Sequence, residues 1–233
     1  MNSSMRLRSS VSAEDRELEK LKKQQEIEEK LNRPYINYTG QIRYCNDLID
    51  CAIACDELLL MVNESYDDEF VIGFDMEWPF NFKTGSGKTA LIQISPNLKI
   101  CYLLHIPLLK RLPKGLYELL HNPKIRVTGV NIKNDVRKLA RDYPGFNVDQ
   151  LLNSCLDTGD LANRVLPCTQ RWSMEKLIDY VLKMKINKSN KVRMSKWNVV
   201  PLSQNQIIYA AIDAYASLLL YKELKKLELQ SAC

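Results

Sequence analysis

The sequence predicts a mixed α/β fold, in which a mixed β-sheet is flanked by helices. Three short apolar runs follow one another with only short turns between them, which indicates antiparallel neighbouring strands. A further apolar run leads into a helical segment, and helical periodicity then fills most of the remaining chain. Strands first and helices later, joined by crossovers, are typical of a sheet covered by helices.

The beginning of the chain differs from the rest. Residues 12–33, SAEDRELEKLKKQQEIEEKLNR, favour a helix but are polar on nearly every face. We therefore expect a solvated helix or a flexible tail, and docking to a partner is a further alternative. Pro34 marks the boundary. The predicted organisation is a charged tail over residues 1–34 and one folded domain over residues 35–233.

The folded domain begins with a predicted strand in YINYTGQIRYC, followed by a helix that Asn46 or Asp47 caps and that runs to about Val62. The three apolar runs are FVIGFDMEW, TALIQIS and KICYLLHI. A helix in KGLYELLH precedes the strand IRVTGV and the helix NDVRKLARDY. Further helices are expected at about residues 158–166, 173–184 and 203–227, the last starting with a capping box of Ser203 and Gln206.

Length and composition bound the class of protein. The chain has 233 residues, of which 45% are hydrophobic and 26% charged, as is ordinary for one soluble domain. No apolar segment is long enough to span a membrane, and the start MNSSMRLRSS lacks the apolar core of a secretory signal. The 7 cysteines lack the close pairs of a structural zinc site. We expect an intracellular protein with no membrane partner.

Residues 74–89, FDMEWPFNFKTGSGKT, are compatible with two different chemistries. Their Gly-Lys-Thr at residues 87–89 resembles the end of a phosphate-binding loop. That loop needs a glycine where Phe82 stands and a helix afterwards, where the sequence predicts a strand. The glycines are therefore interpreted as a turn between strands. Asp75 and Glu77, in contrast, are two residues apart on a predicted strand, so they project to one face.

Two carboxylates on one face of a buried strand repel each other, unless a cation lies between them or the strand end is solvated. Asp135 starts a helix after a strand, where open sheets usually build their sites, although the helix dipole alone could explain an acid there. Asp213 and Tyr209 are four residues apart and share one face of a predicted helix. The small alanines around them would let this helix pack closely against a neighbour. Alternatively, both residues lie at the edge of an amphipathic helix. Mg²⁺ and Mn²⁺ prefer such oxygen ligands.

Three segments, FDMEW, GVNIKNDVRKL and YAAIDAYA, resemble in order and spacing the three motifs of the DEDDy 3′-5′ exonucleases of the ribonuclease-H-like superfamily. Within that family the sequence is most similar to the exonuclease domain of the Werner syndrome protein, through VIGFDMEWP, ALIQI, TGDLANRVL, CTQRWSMEKL and SKWNVVPLSQNQIIYAAIDAYA. The resemblance covers about residues 40–228 and implies a ribonuclease-H-like (DnaQ-like exonuclease) fold. No helicase region follows the third motif, so we expect a stand-alone exonuclease or a piece carrying only that part.

The resemblance also implies an activity. It implies a metal-dependent 3′-5′ DNA exonuclease that acts in replication, repair and genome maintenance and releases nucleoside 5′-monophosphates from free 3′ ends, single-stranded or recessed in a duplex. Asp75, Glu77, Asp135 and Asp213 would hold two divalent ions, Mg²⁺ or Mn²⁺, and Tyr209 would orient the attacking water. A nuclear location and a separate RecQ-type helicase as partner are further expectations. A ribonuclease D-like RNA-trimming enzyme and a catalytically silent nucleic-acid-binding module stay open as alternatives.

Basic residues supply candidate contacts to nucleic acid. The segment KMKINKSNKVRMSKWN at residues 183–198 has no carboxylate, which is typical of a phosphate-binding rim or of a solvated loop. Trp197 lies among its cations as a possible stacking surface. The cations are Lys183, Lys185, Lys188, Lys191, Arg193 and Lys196, of which Lys191, Arg193 and Lys196 are the strongest candidates. Lys83 and Lys88, on the turn after Glu77, are further candidates.

Overall fold

The structure is a computed structural model that describes residues 13–187 and 189–231, so residues 1–12 of the predicted tail and Lys188 lie outside the described residues. The chain divides into two units after Pro34. The described part of the first unit is helix α1, Ala13–Asn32. Its apolar side chains are exposed, namely Leu18, Leu21, Ile27 and Leu31. Between residues 13 and 32 the chain is thus a helix, as one of the two main alternatives predicted.

The second unit is built on one mixed sheet. In the described part of the chain, the strands are β1 (Gln41–Cys45), β2 (Phe70–Glu77), β3 (Phe80–Asn81), β4 (Gly85–Ser86), β5 (Leu91–Asn97), β6 (Ile100–His105), β7 (Ile125–Gly129) and β8 (Cys155–Asp157). Six of them form a sheet in the order β1-β6-β5-β2-β7-β8, and β3 and β4 form a separate hairpin. Strand β5 pairs antiparallel with both β2 and β6. The other pairs are parallel: β1 with β6, β7 with β2, and β8 with β7. The predicted mixed sheet is confirmed.

Helices cover both faces of this sheet. They are α2 (Leu48–Glu64), α3 (Lys114–Leu120), α4 (Ile132–Asp142), α5 (Val148–Asn153), α6 (Thr158–Val165), α7 (Met174–Leu177), a π-helical turn (Ile178–Leu182), α8 (Asn190–Arg193) and α9 (Gln204–Ser231). On one face, Phe74 and Met76 of β2 join a core with Leu58 of α2. On the other face, Leu91 of β5 packs with the alanines of α9, including Ala214. The strand alternation of β2 therefore separates its apolar side chains from the face that carries Asp75 and Glu77.

Several local predictions are confirmed and some are wrong. Asp47 caps α2, and Ser203 and Gln206 form the predicted capping box, in which the Ser203 N–H donates to Gln206 Oε1 at 3.0 Å. The helix predicted at residues 173–184 is short and continues as the π-helical turn. The hairpin β3–β4, helix α5 and strand β8 were not predicted, because elements of two to six residues carry too little periodicity to be recognised. In the described part of the chain, every helix is too short or too polar to cross a membrane.

Candidate active site

Three carboxylates converge at the carboxyl end of β2. Asp75 and Glu77 of β2 and Asp213 of α9 each offer an oxygen atom, and these atoms all lie within 4.8 Å of one another. Asp75 and Glu77 are half-buried, and Asp213 is only 3% exposed. The structure thus brings together three of the four predicted carboxylates.

A close approach of α9 to β2 creates this convergence. A Cβ atom added at Gly73 would lie 2.1 Å from the Ala214 carbonyl oxygen and 2.9 Å from the Leu218 Cβ. Only glycine therefore permits the observed contact between strand and helix. Asp75 follows Gly73 by two residues on the same strand face, and Asp213 immediately precedes Ala214. The small side chains at this contact therefore bring the two carboxylates close together.

Tyr209 lies one helical turn before Asp213 and is 8% exposed. Burial, followed by the negative charges of Asp213, Glu77 and Asp75, raises the pKa of the Tyr209 hydroxyl, and a side-chain hydrogen bond with Asp213 adds to this effect. The hydroxyl therefore stays protonated throughout the physiological pH range. In this site the Tyr209 hydroxyl is suited to donate a hydrogen bond.

Asp135, the fourth predicted carboxylate, is separate from the group formed by Asp75, Glu77 and Asp213 among the described residues. It lies in the first turn of α4 and is half-buried. Burial, followed by the charge of Asp157, raises the pKa of Asp135 to about 7. Asp157 Oδ2 also accepts a hydrogen bond from the Ile132 N–H at 3.1 Å, which ties the start of α4 to the end of β8. Asp135 therefore offers an oxygen ligand apart from the other three.

The donor set of this site fits divalent cations. Carboxylate oxygens are the ligands that Mg²⁺ and Mn²⁺ prefer, and a cation offsets the repulsion between grouped carboxylates. Gln93, the cross-strand neighbour of Asp75, is fully buried, and its side-chain amide has no hydrogen-bond partner among the described residues. A buried polar group without a protein partner is suited to a water molecule, such as one from the hydration shell of an ion.

The predicted basic rim lies on the chain just before α9. Lys191, Arg193 and Lys196 are all exposed there, so they are accessible to a substrate. Trp197, between this rim and α9, is fully buried, so the expectation that it offers a stacking surface is wrong. Its indole N–H donates to the Arg193 carbonyl at 3.0 Å, and its ring centre lies 6.0 Å from that of Tyr209. Trp197 is therefore a packing residue that connects the basic rim to the site.

A buried histidine fixes the same segment from the opposite side. His105 Nε2 donates to the Trp197 carbonyl at 2.8 Å, and Tyr44 donates its hydroxyl proton to His105 Nδ1 at 2.7 Å. The Leu202 N–H in turn donates to the Tyr44 oxygen at 3.1 Å. Burial lowers the pKa of His105, which keeps the ring neutral in this arrangement. The end of β6 thereby holds the chain that leads into α9.

Lys83 and Lys88 are exposed on and beside the β3–β4 hairpin, which begins three residues after Glu77. The same hairpin carries two exposed aromatic residues that the sequence reasoning missed. Phe80 and Phe82 are 46% and 92% exposed, and their ring centres lie 5.4 Å apart in an edge-to-face arrangement. The alternation Phe-Asn-Phe-Lys at residues 80–83 is the sequence pattern that could have indicated them. The hairpin thus presents both stacking surface and positive charge.

A comparison with protein-family models matches residues 48–228 to the 3′-5′ exonuclease family. Among curated proteins, a 3′-5′ exonuclease of Drosophila melanogaster is 46% identical over 195 residues, which are 84% of this chain and 55% of that protein. The chain therefore spans about half the length of the curated relatives it matches.

Solved structures show the same fold at low sequence identity. Escherichia coli RNase D, described as an exoribonuclease involved in structured RNA processing, gives a TM-score of 0.63 at 18% identity, covering 83% of this chain and 46% of that one. Brucella melitensis NrnC, solved with bound Mg²⁺, gives a TM-score of 0.59 at 19% identity, covering 82% of this chain and 84% of that one.

Proposed function

Because the chain belongs to the 3′-5′ exonuclease family, we propose that it hydrolyses the last phosphodiester at a free 3′ end of DNA and releases a nucleoside 5′-monophosphate. The observation that carries this proposal is the group of Asp75, Glu77 and Asp213 oxygens within 4.8 Å of one another, with the Tyr209 hydroxyl beside Asp213. Grouped carboxylates of this kind are suited to metal-assisted phosphoryl transfer.

In this proposal Asp75, Glu77 and Asp213 would hold one divalent ion, and Asp135 would contribute to the binding of a second. When bound, such ions lower the pKa of a water molecule and neutralise the charge that develops on the phosphate oxygens. The bound Mg²⁺ of the Brucella melitensis protein, which has the same fold, supports a divalent ion but does not decide between Mg²⁺ and Mn²⁺.

The chain's own groups orient the reaction. The protonated Tyr209 hydroxyl donates a hydrogen bond and so holds the attacking water in line with the terminal phosphorus. Its position is fixed, because the ring packs against the buried Trp197 and the hydroxyl bonds to Asp213. Tyr209 thereby acts through orientation and not through proton removal.

Two exposed basic segments would supply contacts to the substrate strand. Lys191, Arg193 and Lys196 would contact its phosphates from the segment before α9, and Lys83 and Lys88 from the β3–β4 hairpin. The exposed Phe82 ring would stack on a base, which adds affinity without sequence preference.

DNA is the proposed substrate because the motifs of the sequence resemble those of the Werner-type exonuclease domain. A place in DNA repair, a nuclear location and a separate RecQ-type helicase partner are proposed on the same resemblance. RNA trimming is the second candidate, since Escherichia coli RNase D has this fold and acts on RNA. The carboxylates act on a phosphodiester and do not distinguish the sugar.

A gel assay would test the proposal with a 5′-labelled duplex that has a recessed 3′ end, beside a single-stranded RNA of the same sequence, in Mg²⁺ or Mn²⁺. We expect the DNA to shorten stepwise from its 3′ end, and we expect Asp75→Asn to abolish this without loss of the folded state. Cleavage of the RNA alone would contradict the DNA substrate and support the RNA-trimming function. Binding of both substrates without cutting of either would contradict catalysis altogether.

A further inference from the structure

A cavity of about 570 Å³ adjoins the carboxyl ends of β2 and β6. Pro79, two residues after Glu77, lines it, and so does Ala90, whose backbone N–H donates to the Glu77 carbonyl at 2.9 Å. Ile106, the residue after β6, also lines the cavity and donates its N–H to the Ala90 carbonyl at 2.9 Å. The cavity is therefore one backbone hydrogen bond away from the strand that carries Asp75 and Glu77.

The charged side chains that line this cavity are all cations, namely Lys88, Lys110 and Arg111, and we call it the cationic cavity. In the part of the chain that the structure describes, none of the three forms an ion pair. An uncompensated group of three positive charges attracts an anionic ligand.

The neighbouring carboxylates have other partners. Asp142 Oδ2 accepts the Thr89 N–H and hydroxyl at 2.8 Å each, and it pairs with Lys138 Nζ at 2.8 Å. Asp47, which lines a separate groove with Lys110 and Arg111, accepts the Asp50 N–H at the start of α2. Among the described residues, neither carboxylate therefore forms an ion pair with a cation of the cationic cavity.

Aromatic rings form a fixed wall of the cavity. Lys88 Nζ lies 4.1 Å from the centre of the Tyr143 ring, and the Tyr143 hydroxyl donates to the Thr89 carbonyl at 2.8 Å. Tyr117 stacks on Phe146 with ring centres 4.4 Å apart. A preformed space with rings and a few polar groups is typical of a ligand site, and its volume lies in the usual range of about 300–1,000 Å³.

We propose that the cationic cavity binds backbone phosphates of the nucleic-acid strand on the 5′ side of the cleaved end. This inference rests on the proposed function, in which the carboxylates act only on the terminal linkage. The remainder of the nucleic-acid strand would continue away from the carboxylates. Lys88 lies two residues after the β3–β4 hairpin and also lines the cationic cavity, so it would contact the strand between the two. Lys110 and Arg111 then extend the phosphate contacts, and the tyrosine rings face sugars or bases.

The variant Lys110→Ala/Arg111→Ala tests this inference, because both side chains are exposed and lie outside the core. Its matched control is Lys99→Ala/Lys222→Ala, which removes the same charge from two exposed lysines that do not line the cavity. Fluorescence anisotropy in EDTA would measure binding of a labelled strand of about a dozen nucleotides as salt is varied. We expect several-fold weaker binding by the cavity variant, and a salt slope smaller by about 1.4, since each single-strand phosphate contact contributes about 0.7.

A charge-preserving exchange, Lys110→Arg/Arg111→Lys, should bind the strand as the native protein does. With Mg²⁺ present, we expect the cavity variant to raise KM for the long strand several-fold without a change in kcat, and to cleave a dinucleotide normally. Equal strand binding by the cavity variant and its control would overturn the inference. So would selective loss of nucleoside 5′-monophosphate binding with strand binding intact, because the cavity would then hold free product.

The two proposals can fail separately. If the native protein cleaves no substrate but the cavity variant still loses strand binding in EDTA, the catalytic function is contradicted and the cationic cavity is supported. If the native protein cleaves DNA and the cavity variant matches its control in binding and KM, only the cavity is contradicted.

Discussion

Gln93 is fully buried opposite Asp75, and its amide has no hydrogen-bond partner among the described residues. Burying an amide in this way costs about 1–3 kcal/mol. Gln93→Met removes the amide at similar size, so we expect an unchanged or higher free energy of unfolding in urea. We also expect slower hydrolysis and a higher Mg²⁺ concentration for half-maximal activity, because Asp75 loses its polar neighbour. Full activity combined with lower stability would show that the amide has only a structural role.

Asp135 makes the stability of the metal-free protein depend on pH. Its pKa rises from the ordinary 3.8 to about 7 on folding, chiefly through burial. Between these values the folded state holds a proton that the unfolded state releases, so stability is greatest at the acidic end and is lost as pH rises. We expect the native Tm to fall more steeply from about pH 4 to pH 7 than that of Asp135→Asn, which does not titrate there. Parallel Tm profiles for the two proteins would contradict this.

Single residues differ in how well the sequence predicts them. The strand period places Asp75 and Glu77 on one face, and the alanines around Asp213 indicate close packing, so their proximity could be expected from the sequence. Their catalytic role stays a prediction. Trp197 resembles a stacking residue because it lies among cations, but the folded chain buries it, and its carbonyl accepts a hydrogen bond from His105, which is distant in the sequence. A short pattern cannot report such a long-range contact.

Among the elements, α4 carries an ion pair that also contacts the residue after the β3–β4 hairpin. Lys138 Nζ contacts Asp142 Oδ2 at 2.8 Å and the Gly87 carbonyl at 2.7 Å, with both charged side chains at most 10% exposed. Removing one partner of a buried pair costs about 3–5 kcal/mol, because the other charge is left without compensation. We expect Lys138→Met to unfold at lower urea concentration than Lys138→Met/Asp142→Asn. A double variant less stable than the single one would refute this coupling.

The sequence predicts the long elements better than the short ones. Helices α2 and α9 carry capping residues and enough turns to show their period, so their starts were predicted correctly. The β3–β4 hairpin has two residues in each strand, and the hydrogen bond from Lys138 of α4 to the Gly87 carbonyl beside it joins residues 51 positions apart. The sequence therefore shows that Phe80 and Phe82 are present, but it does not predict that both rings are exposed on a hairpin.

Metal binding is expected to act on the whole molecule. Because three carboxylates lie within 4.8 Å of one another, Asp75→Asn removes like-charge repulsion, and we expect the metal-free variant to be at least as stable as the native protein. Mg²⁺ should raise the Tm of the native protein in scanning fluorimetry, since an ion that binds only the folded state stabilises it. The variant should show a smaller rise and no hydrolysis. An unfolded variant, or equal Mg²⁺ shifts, would contradict the assignment of Asp75.

The overall architecture was predictable because the pattern of strands and helices limits how a sheet can be covered. The cationic cavity was not, since Lys88 and the adjacent pair Lys110 and Arg111 come from two loops that only the folded chain brings together. The sequence supplied the chemical groups of the motifs, and the packing of distant segments determined the shape around them.

The contact between Gly73 and Ala214 also bears on the timing of activity during synthesis. Asp75 emerges from the ribosome with an early strand, whereas Asp213 and Tyr209 arrive with α9, after every other element of the described chain. A nascent chain that lacks α9 would have Asp75, Glu77 and Asp135 but neither Asp213 nor Tyr209. If the proposed function holds, hydrolysis would therefore begin only after α9 has packed against β2.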